Sequence, residues 1–318
     1  MKTLRLIALA FACALPTAQA AGYPEKPIRI IVPFTPGGST DILARMIGQK
    51  LQEAWGQQVI ADNRPGANGV VAAEITAKAN PDGHTLMFVA IGHAINPLLQ
   101  KNLPYDADKD FAAVSLTAIL PQMVALNPKS SATNLKELLA LAKGPKPVNY
   151  ATGGVGSSQH LATELMAYMA KVKLNHIPYK GGNQGLLDVI AGHVDFTITT
   201  ALTVVPHMQA KRVRALAVST AKRLDVAPDV PTMAEAGIPG YESVAWYGMV
   251  APAGIPPKVM EKLAAETVKA TTSAEMKTAL IKQGAIPVGN TPKEFTAFIK
   301  NEQAKYAKVI KEAGIKAE

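Results

Sequence analysis

Four short stretches hold the residue types that could do chemistry: FTPGGSTD (34–41), NRPGANG (63–69), TGGVGSS (152–158) and YKGGNQ (179–184). Each is rich in glycine or small polar residues, and each links a β-rich run to a run with helical spacing. The start of a helix leaves N–H groups without intrahelical partners, and the aligned peptide dipoles add positive potential there. Glycine lets the backbone turn and lets an anion approach those donors closely. Ser39, Thr40, Ser157 and Ser158 add hydroxyls that either donate to a ligand or cap the helix. One such junction is ordinary capping chemistry. Four of one design point to anion binding, because ligands of open α/β sheets sit beyond the carboxyl ends of the strands.

None of the four is a nucleotide motif: Gly37-Gly38 lacks the lysine of a P-loop, and Gly153-Gly154-Val155-Gly156 lacks the G-x-G-x-x-G spacing. A carboxylate fits better. Hydrogen bonds to a charged acceptor contribute ~1.5–3 kcal/mol each. Four or five of them, less the cost of ordering, reach ~8 kcal/mol, or micromolar affinity. Thr199 and Thr200, at the end of the strand run FTITT, are further ligand candidates because that end faces the same presumed cleft.

Other chemically capable residues read differently. Arg64 could grip a carboxylate bidentately, but a salt bridge that holds its loop is the preferred reading. Asp41 reads as a first-turn helix acid, and Lys180 faces either the cleft or solvent. The six histidines show no metal-ligand spacing. His160 follows Ser157 and Ser158, but G-S-S-Q-H lacks the second glycine of a nucleophile elbow and no acid follows in a persuasive place. Trp246 and Tyr247 read as core or hinge packing.

The elements that must position these residues alternate between short β-rich runs and helical runs, which argues for α/β architecture with mainly parallel strands. The first strand is expected over 28–33, followed by a helix carrying Ile42, Leu43, Met46, Ile47 and Leu51 at helical spacing. Strands follow at 57–62 and 84–90, and a second lobe opens near Pro121 with a strand at 122–127. A helix is expected near 205–210, a long strand over 241–252, and three closing helices over 256–270, 274–283 and 292–313. Two chain crossings, near 115–123 and 240–246, would form a hinge.

Residues 1–20 read as a signal peptide, with Lys2 and Arg5, an apolar stretch and the small-x-small end Ala18-Gln19-Ala20. Cleavage near Ala20 would place the mature chain in the periplasm and remove Cys13, the only cysteine, leaving no disulfide or thiolate chemistry. Of 318 residues, 33 are basic and 24 acidic, but the basic ones are scattered singly, so nucleic-acid binding is not expected. The chain is long enough for a large core in two lobes: 21–121 with 243–318, and 122–242.

Several longer stretches share a pattern: YPEKPIRIIVPFTPGGSTDILAR (23–45), DNRPGANG (62–69), GSSQHLATELM (156–166), IPYKGGNQGLLDVIAGHVD (177–195) and PTMAEAGIPGY (231–241). Together they resemble the Bug-type extracytoplasmic solute receptors, the substrate-binding proteins of tripartite tricarboxylate transporters. The resemblance implies an α/β, type II periplasmic-binding-protein fold whose two lobes close like a clamp about two hinge strand crossings. It implies capture of a small carboxylate, a di- or tricarboxylate or an aromatic acid, for transfer to membrane transporter subunits. Neither catalysis, cofactor, metal nor membrane insertion is implied, and the protein is expected to be a monomer.

By the same resemblance a ligand carboxylate is held between two first-lobe loops: Phe34, Thr35, Pro36, Gly37, Gly38, Ser39 and Thr40, and Pro65, Gly66, Ala67, Asn68 and Gly69. The second lobe contributes Gly154, Gly156, Ser157 and Ser158, then Tyr179, Lys180, Gly181 and Gly182, and the strand end at Thr199. Two departures stand out. Asn68 occupies a position where members often have glycine, and threonines occupy a strand end where many carry aspartate, which suits a ligand ammonium less. A sensory receptor that signals through a membrane histidine kinase would use the same clamp, and a periplasmic enzyme acting on the same acids is the other alternative.

Overall fold

The computed structural model describes residues 22–313, so the leader expected over 1–20 lies outside the described residues. In chain order the strands are β1 (Ile28–Val32), β2 (Val59–Asn63), β3 (Thr85–Ala90), β4 (Phe111–Leu126), β5 (Asn149–Thr152), β6 (Asn175–Pro178), β7 (Phe196–Thr200), β8 (Arg214–Val218), β9 (Val244–Pro252) and β10 (Ile286–Pro287). The helices are α1 (Ser39–Trp55), α2 (Val70–Ala77), α3 (Gly92–Leu99), α4 (Leu135–Leu141), α5 (Ser158–Ala170), α6 (Gly182–Ala191), α7 (Ala201–Gln209), α8 (Pro257–Thr272), α9 (Ala274–Ile281) and α10 (Pro292–Ala313). A single 3₁₀ turn, Ala67–Gly69, leads into α2.

The strands run in the order β2-β1-β3-β9-β4-β7-β5-β6, with β8 and β10 also paired to β4. Within each half the strands that precede helices are parallel: β1 with β2 and β3, and β5 with β6 and β7. The strands that carry the chain between halves are antiparallel to these and to each other, because one leaves and the other returns. The sheet is therefore mixed rather than mainly parallel.

β4 is one strand of sixteen residues, longer than the segment expected from 122–127. It pairs with β9 as far as Pro121–Val244, and from Gln122–Thr200 onward it pairs with β7. Burial on both faces removes the polar alternation by which its full length could have been seen. At this switch the Gln122 amide donates to Ser219 Oγ at 2.8 Å, Ser243 Oγ donates to Gln122 Oε1 at 3.0 Å, and Ser219 Oγ donates to the Ser243 carbonyl at 2.5 Å. These bonds tie both crossings to the end of β8.

The cores follow strand periodicity. Ile28, Ile30 and Val32 point to the face covered by Leu43, Ile47 and Leu51 of α1, whereas Ile31, Met87 and Val89 point to the face covered by α2, α3 and α10. On α10, Phe295 and Phe298 meet the buried Trp246 edge-to-face. The second half buries Tyr150, Phe196, Ile198 and Leu216 around α4 and α5. α7 begins at Ala201, earlier than the helix expected near 205–210. Pro206 inside it and the threonine run before it both suggest a later start.

Candidate functional site

Six helices, α1, α2, α3, α5, α6 and α7, start just past the carboxyl ends of β1, β2, β3, β5, β6 and β7. The starts of α1, α3, α5, α6 and α7 meet in one interlobe cavity of about 470 Å³ including its open mouth. Five of the six helices have no side-chain cap: the N-cap residues of α1, α2, α3, α6 and α7 are Gly38, Gly69, Ile91, Gly181 and Thr200. Away from the cleft, Asn134 caps α4 and Ser273 caps α9, while Thr291 and Glu294 form a reciprocal cap on α10. α8 also lacks a side-chain cap, but it starts away from the cleft with a proline at its first turn, and among the cleft helices only α5 is capped, by Ser157.

The first-lobe loop is held by Asp41, which is buried in the first turn of α1. Its carboxylate accepts from the Gly37 amide at 3.0 Å, Asn63 Nδ2 at 2.9 Å and Arg45 Nε at 3.0 Å. Burial alone would raise the Asp41 pKa, but the hydrogen bonds from Arg45, Gly37 and Asn63 outweigh it and hold the group below the usual carboxylate range. Gly37 turns the chain at φ +81°, in the left-handed region that favours glycine. Arg64 pairs with Asp62 at 3.0 Å.

The loop 152–158 has more of its amides partnered within the protein than the first-lobe loop, where Asp41 takes only that of Gly37, and the reading of four like junctions is corrected here. The Gly153 amide donates to Gln159 Oε1, the Gly154 amide to Thr152 Oγ1, the Gly156 amide to His160 Nδ1 and the Ser157 amide to the Gly154 carbonyl. Ser157 Oγ in turn caps the His160 amide. These amides are not available to an anion, so the loop is a scaffold that presents Ser158 and Gln159 to the cavity. Burial pushes the His160 pKa down to about 4, so it stays neutral and keeps Nδ1 as an acceptor.

Thr35 and Ser39 of the first lobe meet Gly181 and Thr200 of the second. Ser39 Oγ lies 2.5 Å from Thr200 Oγ1, and Asn183 Nδ2 donates to the Pro36 carbonyl at 3.3 Å. A Cβ on Gly181 would collide with Thr35 Oγ1. On the floor, the buried Tyr247 hydroxyl faces Ser39 and Ser158, one from each half, and burial pushes its pKa up to about 12.

Of the residues singled out from the sequence, Phe34, Thr35, Gly38, Ser39, Thr40, Asn68, Ser157, Ser158, Gly182 and Thr199 line this cavity. Gly66, Ala67, Gly154, Tyr179 and Lys180 line an outer groove beside it, with Lys180 exposed, and Gly69 lines a smaller space behind Asn68. Gly156 packs against Asn68 and Leu99. Pro36, Gly37, Pro65, Gly181 and Thr200 are not among the cavity walls, although Pro36, Gly181 and Thr200 touch across the lobes. The walls also contain Ala90, Ile91, Gly92, Gln159, Asn183, Thr203 and Tyr247. None of the lining side chains is charged. Among the described residues no three His, Cys, Asp or Glu are placed to hold a metal ion. No described helix is long and apolar enough to cross a membrane.

The model of the tripartite tricarboxylate transporter family receptor matches residues 43–315. The chain belongs to that receptor family. This receptor is 37% identical to protein BugT of Bordetella pertussis over 92% of its own chain and 91% of BugT. It superposes on Rhodopseudomonas palustris Rpa4515 with adipate at a TM-score of 0.89, with 35% identity over 92% of this chain and 99% of that one. With MatC from the same organism with bound malate, the TM-score is 0.85 and the identity 31%, over 91% of this chain and all (100%) of MatC. The receptor has the periplasmic-binding-protein fold, and its family is one of binding receptors rather than enzymes.

The wall residues that sequence reasoning missed differ in how visible they were. Gly92 follows a β-rich run as the other junction glycines do, and Asn183 lies inside the stretch YKGGNQ. Tyr247 carries no local signal: its neighbours Trp246 and Met249 are core residues, and only the pairing of β9 with β3 and β4 brings its hydroxyl to Ser39 and Ser158.

Proposed function

We propose that this receptor captures a small organic carboxylate, a di- or tricarboxylate or an aromatic acid, in the interlobe cleft and delivers it to the membrane subunits of a tripartite tricarboxylate transporter. The observation that carries the reading is the convergence of uncapped helix starts from both halves on a cavity without charged side chains. Such a site meets an anion with amide and hydroxyl donors and binds it without a counter-charge to be desolvated. The adipate and malate bound by its relatives support that ligand class.

Export through the segment 1–20, cleaved near Ala20, would place the mature receptor in the periplasm as a monomer. The lobes 21–121 with 243–318, and 122–242, would move about the two strand crossings and close on the ligand. The transporter would then read the closed form.

Isothermal titration of the mature chain with adipate, succinate, citrate and benzoate tests this, with glucose and lysine as controls. Micromolar binding by at least one acid and none by the controls is expected. Failure of every acid to bind would overturn it.

A further inference from the structure

Asn68 lies in the loop between β2 and α2 and lines the interlobe cavity, the outer groove and the small space behind it. It is only 8% exposed and sits at φ +51°, a left-handed conformation that asparagine tolerates. Its amide orientation follows from its neighbour. Asn96 Nδ2 donates to the Asn68 backbone carbonyl at 3.1 Å, which turns Asn96 Oδ1 toward the Asn68 side chain. Asn68 Nδ2 donates to that oxygen at 3.0 Å. Asn68 Oδ1 is thereby fixed as an acceptor, and it is buried without a partner.

The side chain is also confined. A Cβ added at Gly92 of the first half would come within 2.8 Å of Asn68 Nδ2, and one at Gly156 of the second half within 3.1 Å. The amide is therefore held between the backbones of both halves and has little room to swing away. A carboxylate only accepts hydrogen bonds, so it cannot satisfy Oδ1 and would be repelled by it. An ammonium could donate, but no wall residue carries the negative charge to pair with it. A hydroxyl supplies the donor without that charge.

We infer that Asn68 is a specificity-determining residue that selects hydroxy-substituted carboxylates, its Oδ1 accepting from the ligand hydroxyl while helix starts hold the carboxylate. This rests on the carboxylate reading proposed above.

The test compares matched pairs by isothermal titration: 2-hydroxysuccinate with succinate, 2-hydroxyglutarate with glutarate, and 3-hydroxybenzoate with benzoate. The mature protein is expected to prefer the hydroxy member of at least one pair by about tenfold or more, the usual worth of one buried hydrogen bond left unmade. In Asn68→Gly, which suits the left-handed backbone, the two members of each pair should bind equally, whatever affinity both lose in common. Asn68→Asp keeps an acceptor in place, so it should retain the preference with weaker binding overall. Thermal melting of both variants establishes that they are folded.

Equal binding within every pair by the unaltered protein, with acids bound, would overturn this inference alone. So would a preference that survives in Asn68→Gly. Binding of no acid at all would overturn the carboxylate reading and this inference with it.

Discussion

Ser39 Oγ of α1 lies 2.5 Å from Thr200 Oγ1 at the end of β7, so the first residue of a helix in one half bonds the N-cap residue of a helix in the other. The same Ser39 hydroxyl region receives Tyr247, whose hydroxyl also reaches Ser158. The contact across the cleft is thus made by hydroxyl groups at the edge of the cavity. Ser39→Ala and Thr200→Val should each weaken carboxylate binding, and a double-mutant cycle should give a coupling of about 0.5–1.5 kcal/mol. A coupling indistinguishable from zero would mean that the pair is not formed in the bound state.

Gly181→Ala is expected to abolish closure while leaving folding nearly intact. The added Cβ meets Thr35 Oγ1 and lies 3.1 Å from the Thr35 amide nitrogen, both in the opposite half. Within its own half Gly181 is in an extended conformation that alanine accepts. Calorimetry should show at least a tenfold loss of affinity, with unfolding free energy changed by less than about 1 kcal/mol. Unchanged affinity would show that the bound protein keeps its halves farther apart at this point.

Tyr247→Phe removes a cavity-wall hydroxyl that stands between the two halves and can bond the ligand. Affinity should fall by about three- to tenfold, corresponding to one hydrogen bond of ordinary strength. Because burial pushes the Tyr247 pKa up to about 12, the hydroxyl stays protonated through neutral and mildly alkaline conditions. Titrations between about pH 6 and about pH 9 should therefore show no inflection from this group.

Acid should destabilise the fold before the carboxylates titrate. Burial lowers the pKa of both His93 and His160 to about 4. The unfolded chain, with ordinary histidines, binds protons first as the pH falls below about 6.5, whereas the folded protein does not. Stability is therefore full above that value and is lost progressively down to about pH 4. Between about pH 7 and about pH 5 the two groups together should remove roughly 3 kcal/mol, measurable by urea unfolding. In His160→Gln the slope should drop by about half, and an unchanged slope would assign the effect elsewhere.

Asp41→Ala should loosen the loop from Pro33 to Gly38 and cost about 1–3 kcal/mol at neutral pH, because it strands the Gly37 amide, Asn63 Nδ2 and Arg45. Denaturant melts would measure the loss, and a change under about 0.5 kcal/mol would contradict the anchoring role.

Local pattern carried much of the fold. Ile28, Ile30 and Val32 alternate with Ile31 at the strand period, and Leu43, Ile47 and Leu51 repeat at the helix period, so β1 and α1 were legible. α10 was legible from Phe295, Phe298, Ile299 and Tyr306 on one face. β4 was only partly so. Its burial on both faces leaves no alternation, and its long range of partners, from Pro252 through Thr200, lies far away in the chain. The mainly parallel sheet failed for the same reason, since strand direction between halves depends on where the chain returns.

From its residues alone, this chain determines the succession of strands and helices and the glycine-rich junctions between them, because both are written in short-range spacing, while its receptor family was legible only as a resemblance of whole stretches. Tertiary structure decides which junction amides remain free, that Thr152, Gln159 and His160 occupy those of the second-lobe loop, and that Tyr247 reaches Ser39 and Ser158. A hydrogen-bond donor has one partner at a time, and whether that partner is a side chain across the fold or a ligand depends on distances that only packing sets.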